Sequence, residues 1–174
     1  MGQVNRVRHL VKIIPDPAPG TVYGVSSSPV PLMWAGFHMS VTITTASTLL
    51  NARSNSMIQS ITVTGLLDSG ASGTCIDAQI ADFLNLSAVG VSPSHTAGGV
   101  IQTPDYAVDI HFPGTELSPC VDLLVGSCNL PFALSPQSRD FLSERNIGML
   151  IGRDIMSRWN IVWNGPTSSV FISD

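Results

Sequence analysis

Charge is scarce in this sequence: Asp, Glu, Lys and Arg together make up 11% of 174 residues, and Lys12 is the single lysine. Recognition of nucleic acid through its phosphates needs clustered cations, so no nucleic-acid partner is expected. The net charge of -4 selects no other partner. Cysteine is also sparse. Cys75, Cys120 and Cys128 contain no CxxC pair, and any disulfide scheme leaves one of them over. No structural zinc site or other metal centre is expected, and a reduced compartment is the simpler reading. No apolar run approaches the roughly 18 residues of a membrane span. Arg6, Arg8 and Lys12 are followed by only a few apolar residues before Pro15, which does not support a secretory signal. The expectation is a cytoplasmic protein, whether whole or cut from a longer polyprotein. Several catalytic motifs are missing too. Gly24-Val-Ser26 and Gly90-Val-Ser92 lack the closing glycine of a serine-hydrolase elbow. Phosphate-binding loops and dinucleotide fingerprints are absent, and no cofactor is expected.

What is present is apolar. A hydrophobic fraction of 44% over this length gives one globular domain with room for a core. Residues 1–37 stand apart from it. Pro15, Pro17, Pro19, Pro29 and Pro31, with Gly20, Gly24 and the serines from Ser26, cannot sustain a helix. They read as an extended arm whose Trp34 and Phe37 pack as a strap on the domain, in preference to a cleavable pro-segment.

From residue 38 the pattern is that of short strands. Met39, Val41 and Ile43 alternate with polar neighbours, and after a polar connection over Asn51 to Ser56 the alternation resumes from Ile58 to Thr64, predicting an antiparallel hairpin. Ile76, Ile80, Phe83 and Leu84 have helical spacing, with Asn85 as the stop. Tyr106, Val108, Ile110 and Phe112 predict a strand, and Val121, Leu123 and Val125 another ending at Gly126. Ser138 to Arg145 holds at most a short helix. Arg153 to Trp159 has the composition of a helix with Ile155, Met156 and Trp159 on one face. Trp159 to Trp163 and Ser169 to Ser173 flank Asn164-Gly165-Pro166 and predict a terminal hairpin. The sum is an all-β fold, a closed barrel-like sheet with one or two short helices.

Two stretches carry the chemistry. In Leu66-Leu-Asp-Ser-Gly-Ala-Ser72, Asp68 follows an apolar strand and opens a turn that Gly70 makes easy. An Asp in that place is ordinarily a turn former. The second stretch is Ile147-Gly-Met-Leu-Ile-Gly-Arg-Asp-Ile-Met156. Taken in this order, the two resemble the retropepsin-like aspartic proteases, in which Asp-Thr/Ser-Gly-Ala is followed about a domain's length later by two apolar residues, Gly, Arg and an acidic or amide residue. Leu150-Ile151-Gly152-Arg153-Asp154 matches each of those positions. The resemblance covers residues 38–174, with its sharp motifs confined to about a dozen of them.

That resemblance implies an acid-protease lobe and an aspartic endopeptidase acting on a peptide or protein substrate. Asp68 would be catalytic. Only one Asp-Ser/Thr-Gly triplet is present, so the second carboxyl would come from a second copy in a homodimer. Ser69, Gly70 and Ala71 would shape the active-site loop, with Ser69 bonding across the dimer base. Leu150, Ile151 and Gly152 would brace it from beneath, and Arg153 would pin it. Ser72 stands where retroviral members often carry the acid that receives the arginine, so Arg153 is expected to find Asp77 or Asp154 instead. Thr96, Ala97, Gly98, Gly99 and Val100 would form a flap over the substrate, for which the dipeptide Gly98-Gly99 equally allows an ordinary hairpin turn. His95 beside it reads as a surface or flap-base residue. Terminal strands commonly seal the family's dimer, which makes Val170 to Ser173 and Met39 to Ile43 the candidates. The alternative function is an inactive module of the same fold that binds peptide or protein without cutting it.

Overall fold

Alternating burial organises the first long strand, as its alternating sequence requires. In β2 (Phe37–Thr45), Phe37, Met39, Val41 and Ile43 are buried, while Ser40 is exposed and Thr42 half-buried. Each such apolar side chain contributes about 1.5–3 kcal/mol relative to an exposed position. The computed structural model describes residues 11–12, 36–50, 59–96, 98–130, 132, 146–164 and 169–174. Nearly all of the arm, Trp34 included, lies outside these residues, as do the Asn51 to Ser56 connection and the Ser138 to Arg145 segment. Of residues 1–37, β1 (Val11–Lys12), Gly36 and Phe37 are described.

The remaining elements follow in chain order. They are α1 (Ser47–Leu50), β3 (Ser60–Leu67), β4 (Cys75–Asp77), α2 (Ala78–Phe83), β5 (Gly90–Thr96), β6 (Gly99–His111), β7 (Cys120–Cys128), β8 (Ile147–Ile151), α3 (Arg153–Met156), β9 (Asn160–Asn164) and β10 (Ser169–Ser173). The larger sheet runs β2-β3-β8-β4-β7-β6-β5, and a further pairing of β2 with β6 closes six of its strands into a barrel. β5 is left outside the ring as the outer strand of the β5–β6 hairpin. A second, three-stranded sheet runs β1-β10-β9. The fold is thus mostly β with a few short helices.

The expected hairpin is β2 with β3, antiparallel, in the register Val41↔Val63 and Ile43↔Ile61. The domain's first strand starts at Phe37 rather than 38, directly after Gly36, whose φ of 69° is a turn conformation. β6 reaches back to Gly99, well before Tyr106, because its first half pairs along β5. β7 continues past Gly126 to Cys128 by pairing with β4.

Two helices are shorter than their spacing suggested. Ile76 belongs to β4, and α2 starts only after Asp77, whose Oδ1 accepts the Gln79 N–H as an N-cap. Within and after α2, Ile80 and Leu84 are buried but Phe83 is largely exposed. α3 stops at Met156, since Trp159 turns inward to meet the Phe112 ring edge-on, centroids 5.0 Å apart. β9 and β10 form the terminal hairpin as expected, in the register Val170↔Trp163 and Ile172↔Ile161. Its turn at Gly165 and Pro166 is outside the described residues.

Cys75 and Cys128 are paired as a disulfide, with Cα atoms 6.1 Å apart, and Cys120 is buried and free. Strand pairing brings the two cysteines together: the parallel register Cys75↔Gly126 and Asp77↔Cys128 puts both on one face of neighbouring strands. A reduced state is therefore not the simpler reading of this chain.

The strands expected to seal a dimer are occupied within the chain. β10 lies between β1 and β9, and β2 between β3 and β6, with Met39, Val41, Ile43, Val170 and Ile172 all buried. The β2–β6 pairing covers only Thr42 to Thr45, and the β1–β10 pairing only Phe171 and Ile172. Among the described residues no helix is long and apolar enough to cross a membrane.

The packing of Ile80 from α2, Val63 and Phe132 leaves no room at Gly148. A Cβ there would stand 2.8 Å from Ile80 Cδ1, 2.9 Å from Val63 Cβ and 3.1 Å from Phe132 Cδ2. Overpacking of this kind costs about 1–3 kcal/mol. Gly148→Ala should lower the urea midpoint of unfolding accordingly, and an unchanged midpoint would contradict the packing described.

Candidate active site

β8 lies between two strands that are close in sequence. It pairs in parallel with β3 (Leu67↔Ile151) and antiparallel with β4 (Cys75↔Leu150). The seven residues from Asp68 to Thr74, which join β3 to β4, must therefore cross the C-terminal end of β8. Asp68 opens this crossing.

The crossing begins as a tight turn. Ala71 N–H donates to the Asp68 carbonyl (3.1 Å), and Gly70 N–H donates to Asp68 Oδ1 (2.8 Å). The carboxylate is thus held by its own turn, as Asp side chains commonly are. Asp68 itself is half-buried, and Ser69 and Gly70 are exposed. A Cβ at Gly70 would stand 3.0 Å from Asp68 Oδ1, so the glycine keeps space for the carboxylate as well as for the turn.

The second motif fastens the turn from beneath. Asp68 N–H donates to Ile151 O (3.0 Å), and Arg153 N–H donates to Ala71 O (3.0 Å). These two backbone bonds join the motifs across more than eighty residues of sequence. Ile151 and Gly152 are buried and Leu150 is half-buried. Gly152 is the point of closest approach: a Cβ on it would lie 2.5 Å from Gly73 C, 2.6 Å from Gly73 O and 2.8 Å from Thr74 N. Only a residue without a side chain fits there.

Arg153 does not use either acid expected of it. Its Nη1 donates to Ser69 O at 2.7 Å. Asp77 is buried and engaged with two backbone amides, Gln79 N–H and Leu130 N–H. Asp154 is taken by Thr74, whose N–H donates to Oδ2 (2.9 Å) and whose hydroxyl donates to Oδ1 (2.7 Å). Thr74 Oγ1 also accepts Gly152 N–H (3.1 Å). Thr74 is the residue that sequence reading missed. It is buried, and its partners lie 78 and 80 positions away, so no local pattern marks it.

The glycine-rich segment forms the tip of the β5–β6 hairpin. Thr96 Oγ1 accepts Gly98 N–H (3.2 Å) and donates to Gly99 O (2.9 Å), while Gly99 has φ 118°. Gly98, Gly99 and Val100 are exposed, and Ala97 is outside the described residues. His95 is exposed at its base, opposite Val100. Among the described residues no three His, Cys, Asp or Glu side chains gather to hold a metal ion.

Chemically, this is one carboxylate displayed on a turn anchored at both ends, with a hairpin of small and apolar residues elsewhere on the same sheet. No family model and no curated protein matches the chain. Among solved structures it is similar to a Legionella pneumophila protein of unknown function (DUF785). The two share 16% identity over 70% of this chain and 84% of the other, with a TM-score of 0.33. A likeness of that size assigns neither fold nor function.

The Thr74–Asp154 contact should be felt in stability. Asp154→Asn keeps the volume but loses a charge-assisted acceptor for Thr74, at a cost of about 1–3 kcal/mol. Gly152→Ala should cost at least as much, since backbone must move. Chemical denaturation measures both. An Asp154→Asn protein as stable as wild type would contradict the anchoring role.

Proposed function

We propose that this chain is an aspartic endopeptidase of the retropepsin-like kind, active as a two-fold homodimer to which each subunit brings one Asp68. The observation that supports this most is the crossing of β8 by the Asp68 loop. An Asp that merely formed a turn would need no such anchoring. Here two backbone bonds, a half-buried Thr74–Asp154 pair and an invading glycine all hold seven residues around one carboxylate.

Hydrolysis follows from pairing two such carboxylates. Within about 3 Å of one another they cannot both ionise, so they hold one proton between them. The ionised member takes a proton from a water molecule, which attacks the peptide carbonyl. The protonated member donates to the carbonyl oxygen, giving a tetrahedral diol, and proton transfer to the nitrogen then breaks the C–N bond. The chain's own contribution is position. The carboxylate is oriented by Gly70 N–H before substrate arrives, Arg153 fixes the Ser69 carbonyl, and the β5–β6 hairpin supplies a lid of small residues. An isologous interface brings residue and twin together on the axis.

One observation favours a second reading, a peptide- or protein-binding module of the same fold that does not cut. The terminal strands commonly used to seal such a dimer are already paired and buried within this chain. In that reading Asp68 shapes a binding loop and no second carboxylate arrives.

Cleavage of casein from acid to neutral pH distinguishes them. Wild type should degrade it with a rate that rises faster than linearly with enzyme concentration, and Asp68→Ala should lose at least about a thousandfold. Equal rates in wild type and variant, or no cleavage with a chain that stays monomeric in sedimentation, would overturn the protease reading.

A further inference from the structure

The disulfide lies on the same short strand that receives the Asp68 loop. Cys75 follows Thr74 directly and begins β4, a strand of three residues with two register pairs to β8 and three to β7. Its neighbour Thr74 holds Asp154 and Gly152, and the Thr74 carbonyl accepts Gly126 N–H from β7 (3.1 Å). The bond to Cys128 therefore ties the exit of the Asp68 loop to β7. β7 in turn pairs with β6, the inner strand of the β5–β6 hairpin. The 53-residue separation between the cysteines encloses that whole hairpin.

Cys75 and Cys128 are each half-buried, so neither residue is closed off in the core as Cys120 is. The reduced form is also accommodated, because Cys128 Sγ lies 3.4 Å from Ile76 O and can donate its S–H there. Cys120 is a bystander. It is buried on the other end of β7, and burial pushes its thiol above the usual cysteine value, with Arg158 opposing.

We propose that the Cys75–Cys128 disulfide is a redox latch that couples the Asp68 loop to the β5–β6 hairpin, so that the oxidised chain is the competent form and a dithiol reductant switches it off. This rests on the protease reading for its consequence but not for its detection. The step balances as ordinary exchange. One thiolate of the reductant attacks a protein sulfur and forms a mixed disulfide, releasing the other cysteine. The reductant's second thiolate then closes its own disulfide, and two electrons and two protons end on Cys75 and Cys128. Once released, β4 keeps only its short ladders, and the loop it terminates opens more often.

The test uses the full chain purified without reductant. Iodoacetamide under denaturing conditions should add one group to this material and three after dithiothreitol. Native hydrogen exchange at the Ala71, Thr74 and Arg153 amides should accelerate at least about tenfold on reduction. Cys75→Ser and Cys128→Ser should each show the fast exchange without reductant, and Cys120→Ser should respond as wild type does. Casein cleavage should fall at least about tenfold in the reduced protein. Three adducts without reductant, unchanged exchange on reduction, or equal cleavage by both forms would overturn the latch. If neither form cuts casein, the protease reading fails, and labelling with exchange still decides the latch.

Discussion

Everything at the candidate site depends on how closely two pieces of backbone approach at Gly152. The chain leaving β8 passes Gly73 and Thr74 at a distance that excludes any side chain. That approach lets Thr74 Oγ1 accept Gly152 N–H and lets Arg153 N–H reach Ala71 O. With Asp68 N–H on Ile151 O, the loop is fastened at its start, its middle and its end. The carboxylate is then oriented without help from a ligand, which is the state that catalysis by position requires. A few kcal/mol of local packing and hydrogen bonding is thus concentrated on seven residues.

The barrel explains why this approach is available. Closing β2 on β6 leaves the six strands no edge inside the ring, and the apolar faces of β2, β3, β6 and β8 fill its interior. β8 can then run between β3 and β4, and the β3–β4 connection has only the end of β8 to cross. The short helices α2 and α3 occupy the points where strands leave the ring, each bounded by a side chain with a partner elsewhere: Asp77 caps the start of one, and Trp159, packed against Phe112, lies just past the end of the other.

Local pattern made the strands legible where one face is buried and the other wet, as in β2 and β3. Asp68 and the Leu150 to Arg153 stretch stood out only through their resemblance, in this order, to the two motifs of the retropepsin-like proteases, since by local pattern alone Asp68 is an ordinary turn former. Local pattern misjudged Ile76 and Trp159, whose helical spacing is shared with strand and turn positions that tertiary contacts decide. It could not find Thr74, the Cys75–Cys128 pairing or the Ser69 carbonyl as the partner of Arg153. Each of these joins residues more than fifty apart, and it takes the β3–β8, β4–β7 and β4–β8 registers to bring them together. The apolar alternation of Met39 to Ile43 and of Val170 to Ser173 is also used within the chain, by the barrel and by the terminal sheet.

What distinguishes a protease from a binding module with this loop is whether two Asp68 carboxylates act in one site. Mixing wild-type subunits with an excess-free, equal amount of Asp68→Asn subunits, after dissociation and reassembly, tests that directly. If each site needs one Asp68 from each chain, only wild-type pairs cut, and activity falls to about one quarter of that of the same total of wild type. Activity of about one half would mean that each chain works alone, and would contradict the shared site.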